Sequence, residues 1–302
     1  MAFTAKDVQA LRETTGCGMM DCKKALQSSD GDTNKAMEYL REKGIAAVAK
    51  KSGRIAAEGI VFAQVNTASK VGVLLEVNAE TDFVASNEKF QSFVKSCADT
   101  IVAQKPADVD TLLALKAEDS TMTVAELLQD RVLTIGENIK VRRFACLEGD
   151  LVTYIHGGGR IGVIVKFDTD VASKPGFDEY AKDIAMQIAA INPPYLDKAS
   201  VPAEVIEEEK KILTVQALNE GKPQNIAEKI VMGRISKFYK EMCLIEQDFV
   251  KDSELTVSKY TDKIAKELGG SIKIVKFVRF EKGEGLQKRE DNLADEIASL
   301  VK

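Results

Sequence analysis

Two segments of this chain contain the same order of elements, and this repetition constrains the fold more than any other feature. The apolar stretch VGVLLEV (71–77) follows another apolar run at 60–66 and precedes a helical pattern that includes Phe90. About 90 residues later, IGVIVKF (161–167) follows a run at 151–156 and precedes a helical pattern from Phe177. Strand-length runs followed by a stripe of helical period predict a β-hairpin and a helix in each copy. The repeat therefore predicts an α+β chain with two similar core subdomains that contain antiparallel sheets.

The segments around this core have helical patterns. Residues 4–43 contain three short ones, separated by loops at 14–18 and 29–32, which predict a small bundle. Residues 44–59 are rich in Ala, Lys and Gly and suit an exposed linker or a loosely docked helix. Two apolar stripes flank a turn at 220–223 and predict an inserted antiparallel helical hairpin. The predicted domains are a helical bundle (1–43), a linker (44–59), a first core subdomain (60–148), a second core subdomain (149–202 and 250–282), a helical hairpin (203–249) and a C-terminal helical module (283–302).

Charge, hydropathy and cysteine content argue against several classes of protein. With 42 Lys and Arg against 47 Asp and Glu, the net charge of −5 gives no overall attraction to nucleic acid. The basic residues Lys50, Lys51 and Arg54 have no aromatic residue among them, which favours a solvated linker. The apolar runs are far shorter than the roughly 20 residues of a membrane span, and the first residues lack a signal-peptide pattern. We therefore expect a cytoplasmic protein whose five cysteines are reduced, because the chain has no Cys-x-x-Cys motif.

Three motifs that resemble cofactor or catalytic sites have simpler explanations. GGGRIG (157–162) matches a dinucleotide-binding pattern, but a strand follows it where that mechanism needs a helix N-terminus. His156 precedes these glycines as in a hydrolase oxyanion loop, yet the chain has no G-x-S-x-G motif and no other histidine. DGDTN (30–34) opens like a calcium loop, but Lys35 and Arg41 stand where that loop needs Gly and Glu. We expect no catalytic residue, metal or cofactor, and His156 is either a solvated residue at a strand end or a contact residue.

The segment AETDFVASNEKF (79–90) follows the first repeated strand directly. Either Thr81 or Asp82 can cap a helix that starts here. Capping does not account for Phe83, which either packs against the sheet or protrudes as a hydrophobic anchor. The residues alone leave both interpretations open. Met19 and Met20 pose a similar question, because adjacent helical positions point about 100° apart and at least one of the two is expected to be exposed.

Six motifs follow one another along the chain: TTGCGMMDCKKAL (14–26), TDFV (81–84), IGENIKVRR (135–143), HGGGRIGV (156–163), GKPQNIAEKIVMGR (221–234) and FVRFEKGEG (277–285). Together, and in this order over nearly the whole length, they resemble the bacterial translation elongation factor Ts family. The resemblance implies an α+β fold with an N-terminal three-helix bundle like a ubiquitin-associated domain (UBA-like). Two related core subdomains, a protruding antiparallel coiled-coil hairpin and a C-terminal helix complete the implied architecture.

The resemblance also implies a function, guanine-nucleotide exchange on GDP-bound elongation factor Tu. Such a factor displaces Mg²⁺ and disturbs the phosphate site, so that GDP leaves without any chemical catalysis or cofactor. Self-association through the hairpin is a further expectation, and the alternative function is an adaptor or nucleic-acid-binding protein that acts through its N-terminal bundle. The implied partner-binding residues are Thr81, Asp82, Phe83 and Val84 for Mg²⁺ dislocation, Arg12, Met19 and Met20 for the N-terminal contact, and Ile135, Gly136, His156 and Gly157 for a contact of the core.

Overall fold

A computed structural model of the chain describes residues 3–15 and 17–287, except for the side chains of residues 45–50. The fold is mixed α+β, as predicted, with small antiparallel sheets. Within the described residues no helix is long and apolar enough to cross a bilayer. The helices and strands in chain order are α1 (Ala5–Thr15), α2 (Met19–Ser28), α3 (Thr33–Lys51), β1 (Glu58–Asn66), β2 (Val71–Ala79), α4 (Glu88–Gln104), α5 (Val109–Ala114), α6 (Val124–Ile135), β3 (Lys140–Glu148), β4 (Asp150–His156), β5 (Ile161–Thr169), α7 (Phe177–Ile191), α8 (Ala203–Asn219), α9 (Gln224–Met242), β6 (Asp248–Phe249), β7 (Asp252–Thr256), α10 (Val257–Leu268) and β8 (Ile272–Glu281).

Helices α1, α2 and α3 pack around a small apolar core that includes Leu11, Cys22 and Leu26. The sequence predicted that the third helix ends near Lys43, but α3 continues to Lys51. Alanine and lysine are strong helix formers, so residues 44–51 of the segment expected to be an exposed linker or a loosely docked helix continue α3. The longer α3 packs against α6, and Arg41 forms an ion pair of 2.6 Å with Glu126 at this contact. The bundle is therefore joined to the first core subdomain along a helix. Its likeness to a ubiquitin-associated domain stays a prediction.

The first core sheet has the order β1-β2-β3, with all neighbours antiparallel. Strands β1 and β2 form the predicted hairpin, and a four-residue loop at 67–70 joins them. Every residue of β2 is buried, because β2 is the central strand and α4 covers one face of the sheet. The sequence analysis did not identify β3. Its charged residues and its position at the sheet edge give it no clean alternation of apolar and polar residues.

The second core sheet repeats this arrangement with the order β4-β5-β8. The central strand β5 is covered by α7, as β2 is covered by α4. A shift in register occurs between Glu76 and Val77 in the first copy and between Lys166 and Phe167 in the second. Both shifts fall after the sixth residue of the repeated strands VGVLLEV and IGVIVKF. The internal repeat is therefore confirmed, and the two copies even share this irregularity of strand pairing.

The uncovered faces of the two sheets pack against each other through Val61, Leu74, Ile164 and Phe280. The glycine in the second position of each repeated strand allows this close approach. A Cβ atom on Gly72 would lie 2.9 Å from Ile164 Cδ1, and one on Gly162 would lie 2.5 Å from Val61 Cγ1. A larger residue at either position would therefore force the sheets apart.

Helices α8 and α9 form the predicted hairpin, with its own small core of Leu213, Val231 and Ile235. The hairpin β6–β7 and the helix α10 were not predicted from the sequence. Residues 283–287 of the expected C-terminal helical module form a turn and a short irregular stretch. The stripe expected in the final helix, Leu293, Ile297 and Leu300, lies outside the described residues.

Candidate functional site

The strand β2 leads into a short exposed segment, Asp82–Ser86, that presents Phe83 and that we call the tip. After Ala79 the chain bends and forms a short 3₁₀ helix, Asp82–Ser86. The Phe83 side chain is 83% exposed, more than any other large hydrophobic residue in the described part of the chain. Its neighbour Val84 is only 5% exposed and packs into the core of the first subdomain. The structure therefore answers the question that the residues left open, because Phe83 protrudes and does not pack against the sheet.

The predicted helix cap at Thr81 or Asp82 is wrong. Neither side chain caps the short helix, and α4 begins only at Glu88. Asn87 is its cap, because the Asn87 side chain accepts hydrogen bonds from the amides of Lys89 at 3.0 Å and Phe90 at 3.2 Å. Within the described residues the exposed carboxylate of Asp82 has no hydrogen-bond or ion-pair partner. Asp82 and Phe83 are thus both presented outward.

Glu137 holds the bend before the tip. One carboxylate oxygen accepts hydrogen bonds from the amides of Glu80 at 3.1 Å and Thr81 at 3.0 Å. The other accepts from Thr81 Oγ1 at 2.6 Å. In the opposite direction, Glu80 Oε1 accepts from the amide of Asn138 at 2.6 Å and from Arg54 Nη1 at 3.3 Å. The Glu137 carboxylate therefore bonds the backbone of Glu80 and Thr81, and the Glu80 carboxylate bonds the backbone of Asn138.

The same turn brings Ile135 and Gly136 close to the tip segment. Helix α6 ends at Ile135, and Gly136 follows in a left-handed conformation with φ 90° that suits glycine. Ile135 is half-buried against the core, whereas Gly136 is exposed. Lys51 Nζ donates to the carbonyl oxygens of Val132, at 3.4 Å, and Gly136. Burial lowers the pKa of Lys51, and the nearby charge of Arg54 lowers that pKa further.

The N-terminal candidates lie where α1 ends and α2 begins. Met19 is 47% exposed and Met20 is 62% exposed, and Arg12 on α1 is also exposed. Cys17 and Cys22 beside them are buried, so the two methionines are surface residues on a packed support. All five cysteines of the chain are unpaired thiols.

His156 and Gly157 lie at the other end of the core, in the turn between β4 and β5. His156 is exposed, and its Nδ1 atom lies 3.0 Å from Tyr154 Oη. Gly157, Gly158 and Gly159 all have positive φ angles, and the strand β5 follows them, so the interpretation as a turn is confirmed. Gly159 docks on the first subdomain, where its carbonyl accepts from the Val61 amide at 2.8 Å.

The candidate residues thus form separate groups. Thr81, next to Asp82 and Phe83, is joined by hydrogen bonds to Glu137 in the turn after Ile135 and Gly136. The N-terminal group and His156 lie on other elements. A cleft of about 520 Å³ between the bundle and α6, lined by Cys17, Met37 and Asp130 among others, does not include the tip. In the described ranges no group of three or more His, Cys, Asp or Glu could hold a metal ion.

Sequence reasoning missed Glu80, Glu137 and Arg54 as parts of the site. Glu137 is 56 residues from Thr81 along the chain, and Arg54 is 26 residues from Glu80. The only local signal was a glutamate in each segment, Glu80 directly before TDFV and Glu137 within IGENI. Nothing in the sequence alone indicates that the two segments are in contact.

Comparisons with known proteins agree with the six motifs. The family model described as Elongation factor TS matches residues 80–284, which include the tip, the Glu137 turn and His156. Elongation factor Ts of Clostridium botulinum (strain Alaska E43 / Type E3) is 52% identical over 302 residues, covering 99% of each chain. The same coverage holds for elongation factor Ts of Clostridium perfringens (strain 13 / Type A), 52% identical over 301 residues, and of Clostridioides difficile (strain 630), 50% identical over 302 residues. With a family match over most of its length and relatives of this identity from end to end, the chain belongs to the elongation factor Ts family.

Proposed function

We propose that Phe83 is the side chain with which this protein, by its family a guanine-nucleotide exchange factor of elongation factor Tu, opens the nucleotide site of its partner. The observation that carries the proposal is the contrast between Phe83 and its support. An aromatic ring that is 83% exposed lies four residues after a fully buried strand and directly precedes a buried valine. An aromatic side chain of this kind binds strongly when a partner provides a pocket that excludes water.

The mechanism needs no chemical reaction. A GTPase that holds GDP owes much of its nucleotide affinity to Mg²⁺ and to groups around the phosphates. If Phe83 stabilises a partner conformation in which those groups have moved, GDP binds that conformation more weakly, and the coupling is reciprocal. The carboxylate of Asp82, which has no partner within the described residues, is available to accept hydrogen bonds from the same region of elongation factor Tu.

The remaining candidates extend this contact. We assign Arg12, Met19 and Met20 to a second contact with elongation factor Tu, because exposed methionines adapt well to a partner surface. His156, on its glycine turn, would form a third contact. Val84 supports the tip from inside the core, so its part in Mg²⁺ displacement is indirect. The proposal places the protein in the cytoplasm, where translation elongation takes place.

The test is the release of a fluorescent GDP analogue from elongation factor Tu, with and without this protein, at millimolar Mg²⁺. We expect the protein to accelerate release by at least about tenfold, in the range of typical coupling between two ligands. When a chelator has already removed Mg²⁺, the spontaneous rate rises and the acceleration shrinks. Unchanged release at millimolar Mg²⁺, under conditions where the two proteins form a complex, would contradict the proposal.

A further inference from the structure

We propose that Glu137 is a positioning residue for nucleotide exchange, because its carboxylate holds the Glu80–Thr81 backbone so that Phe83 is presented in one conformation. The inference rests on the proposed function of Phe83 and adds a residue that touches neither the nucleotide nor, in this role, the partner. Its basis is the set of three hydrogen bonds from Glu80 and Thr81 to the Glu137 carboxylate.

Among the described residues, no backbone acceptor bonds the amides of Glu80 and Thr81 at this bend. The ladder of β2 ends at Ala79, so the amides of Glu80 and Thr81 lie beyond the pairing with β1 and β3. Both amides donate to a single oxygen of Glu137, and charge-assisted hydrogen bonds of this type are stronger than neutral ones. Thr81 Oγ1 occupies the second oxygen at 2.6 Å. The carboxylate thus fixes the direction in which the chain leaves the strand.

The tip needs this support because its own structure is small. The 3₁₀ helix Asp82–Ser86 is five residues long, and such short helices have little stability of their own. The burial of Val84 holds its centre, and the hydrogen bond of 2.9 Å from the Asn87 amide to the Val84 carbonyl holds its end. Glu137 holds its beginning. A tip that already has one conformation before binding loses less conformational entropy when it enters a partner.

The Glu137 turn is itself held in place. Glu80 returns the contact by accepting from the Asn138 amide at 2.6 Å, and Asn138 Nδ2 donates to the carbonyl of Arg54 at 2.8 Å. Lys51 Nζ contacts the carbonyl of Gly136. The end of α3, the end of α6 and the tip segment therefore meet at this turn, so a change at Glu137 acts on Phe83 through a short chain of direct contacts.

The test is a double-mutant cycle between Glu137→Gln and Phe83→Ala in the full-length protein. Release of fluorescent GDP from elongation factor Tu is measured against factor concentration, which separates the maximal rate from the half-saturating concentration. We expect Glu137→Gln to lower the maximal rate about tenfold, because an amide replaces one of the two carboxylate oxygens and the charge is lost. The half-saturating concentration should change less than about threefold, since the other contacts with the partner remain. Glu254→Gln, an exposed glutamate on β7, is the matched control and should behave like the unmodified protein.

In the Phe83→Ala background, Glu137→Gln should have no further effect on the maximal rate. Hydrogen exchange supplies an independent readout, because the amides of Glu80 and Thr81 should lose protection in Glu137→Gln but not in Glu254→Gln. If Glu137→Gln does not fold, Thr81→Val removes the Oγ1 donor alone, and its smaller loss of maximal rate should likewise vanish in Phe83→Ala.

The outcomes distinguish the two proposals. A Phe83→Ala variant with full activity would overturn the proposed function. Normal activity of Glu137→Gln beside a slow Phe83→Ala would overturn only the positioning role. An equal loss from Glu137→Gln with and without Phe83 would also overturn it, because Glu137 would then act elsewhere.

Discussion

At the scale of single residues, two adjacent side chains of the tip, Phe83 and Val84, have opposite environments. Phe83 points to solvent, and Val84 points into a core formed by β2, α4 and the elements around them. The five-residue 3₁₀ helix makes this possible, because successive side chains leave a helix in different directions. Binding to a partner and stability of the fold are therefore separable at neighbouring positions.

We predict that Val84→Ala lowers the free energy of unfolding by about 2 kcal/mol, through loss of buried methyl groups and the small cavity that remains. Phe83→Ala should change it by less than about 0.5 kcal/mol, since an exposed ring contributes little to the core. Urea denaturation followed by circular dichroism measures both values. Equal destabilisation by the two substitutions would show that Phe83 is packed in solution.

Part of the site could be predicted from the residues, and part required the fold. The motif TDFV identified the segment, but local rules placed a cap at Thr81 or Asp82, because a hydroxyl or carboxylate before a helical pattern suits an N-cap. In the structure neither side chain caps a helix. The Thr81 hydroxyl donates to Glu137 instead, and Asn87 is the cap. A side chain that can bond either to a nearby helix or to a carboxylate 56 residues away cannot be assigned from local sequence.

At the scale of elements, the helix α4 supports the tip from behind. Its cap Asn87 is separated from Val84 by two residues, and its first turn brings Phe90 into the same core. The start of α4 and the end of the tip therefore share the Asn87 residue. Loss of the Asn87 cap should therefore destabilise both the first turn of α4 and the end of the tip.

We predict that Asn87→Ala lowers the free energy of unfolding by about 1 kcal/mol, the usual cost of losing an N-cap. Asn87→Asp keeps an oxygen acceptor and should retain most of the stability. Thermal or urea denaturation of the two variants tests the assignment. If Thr81→Val destabilised the helix and Asn87→Ala did not, the cap would lie at Thr81 after all.

Elements with a clean period were predicted well, whereas elements that tertiary contacts define were not. The hairpin β1–β2, its copy β4–β5 and the helices α4, α7, α8 and α9 have apolar stripes that match their period. Strand β3 lies at a sheet edge with charged residues, and β6–β7 has one buried residue in its short strands, so neither has such a pattern. For the extension of α3 the sequence left an exposed linker and a loosely docked helix both open, because a composition of Ala, Lys and Gly suits either.

The hairpin of α8 and α9 has exposed apolar side chains to which we assign no role. Val215 is 57% exposed and Met232 is 68% exposed, although Leu213 and Val231 beside them are buried between the helices. The expectation that this hairpin is an interaction arm, including self-association, stays a prediction.

At the scale of the whole molecule, a buried carboxylate joins the two core subdomains. Glu76 on β2 is fully buried and contacts Arg142 at 3.0 Å and Arg143 at 2.6 Å on β3. It also accepts from the amide of Gly283, at 2.8 Å, just after β8 of the second subdomain. Burial raises the pKa of Glu76, but the hydrogen bonds from Gly283, Asn78, Arg143 and Arg142 outweigh burial and hold that pKa below its ordinary value.

We predict that this contact makes the protein sensitive to acid. Because the pKa of Glu76 is lower in the folded state than in the unfolded state, its ionised form stabilises the fold. This contribution is complete above the ordinary carboxyl pKa and is lost as the pH falls through the folded value. Glu76→Gln should lower the free energy of unfolding at pH 7 by about 3 kcal/mol, since two arginines lose a buried partner. Urea denaturation against pH should show that difference shrinking under acid conditions, and a constant difference would contradict the account.

The core of the first subdomain holds the tip through Val84, and the turn after α6 holds it through Glu137. The most direct measurement is the maximal rate at which Phe83→Ala releases fluorescent GDP from elongation factor Tu at millimolar Mg²⁺. Val250→Ala, which truncates another exposed apolar residue on the second subdomain, is the matched control. We predict a maximal rate at least about tenfold lower for Phe83→Ala, with unchanged stability, and a normal rate for Val250→Ala. A Phe83→Ala variant as fast as the unmodified protein would contradict the claim that Phe83 opens the nucleotide site.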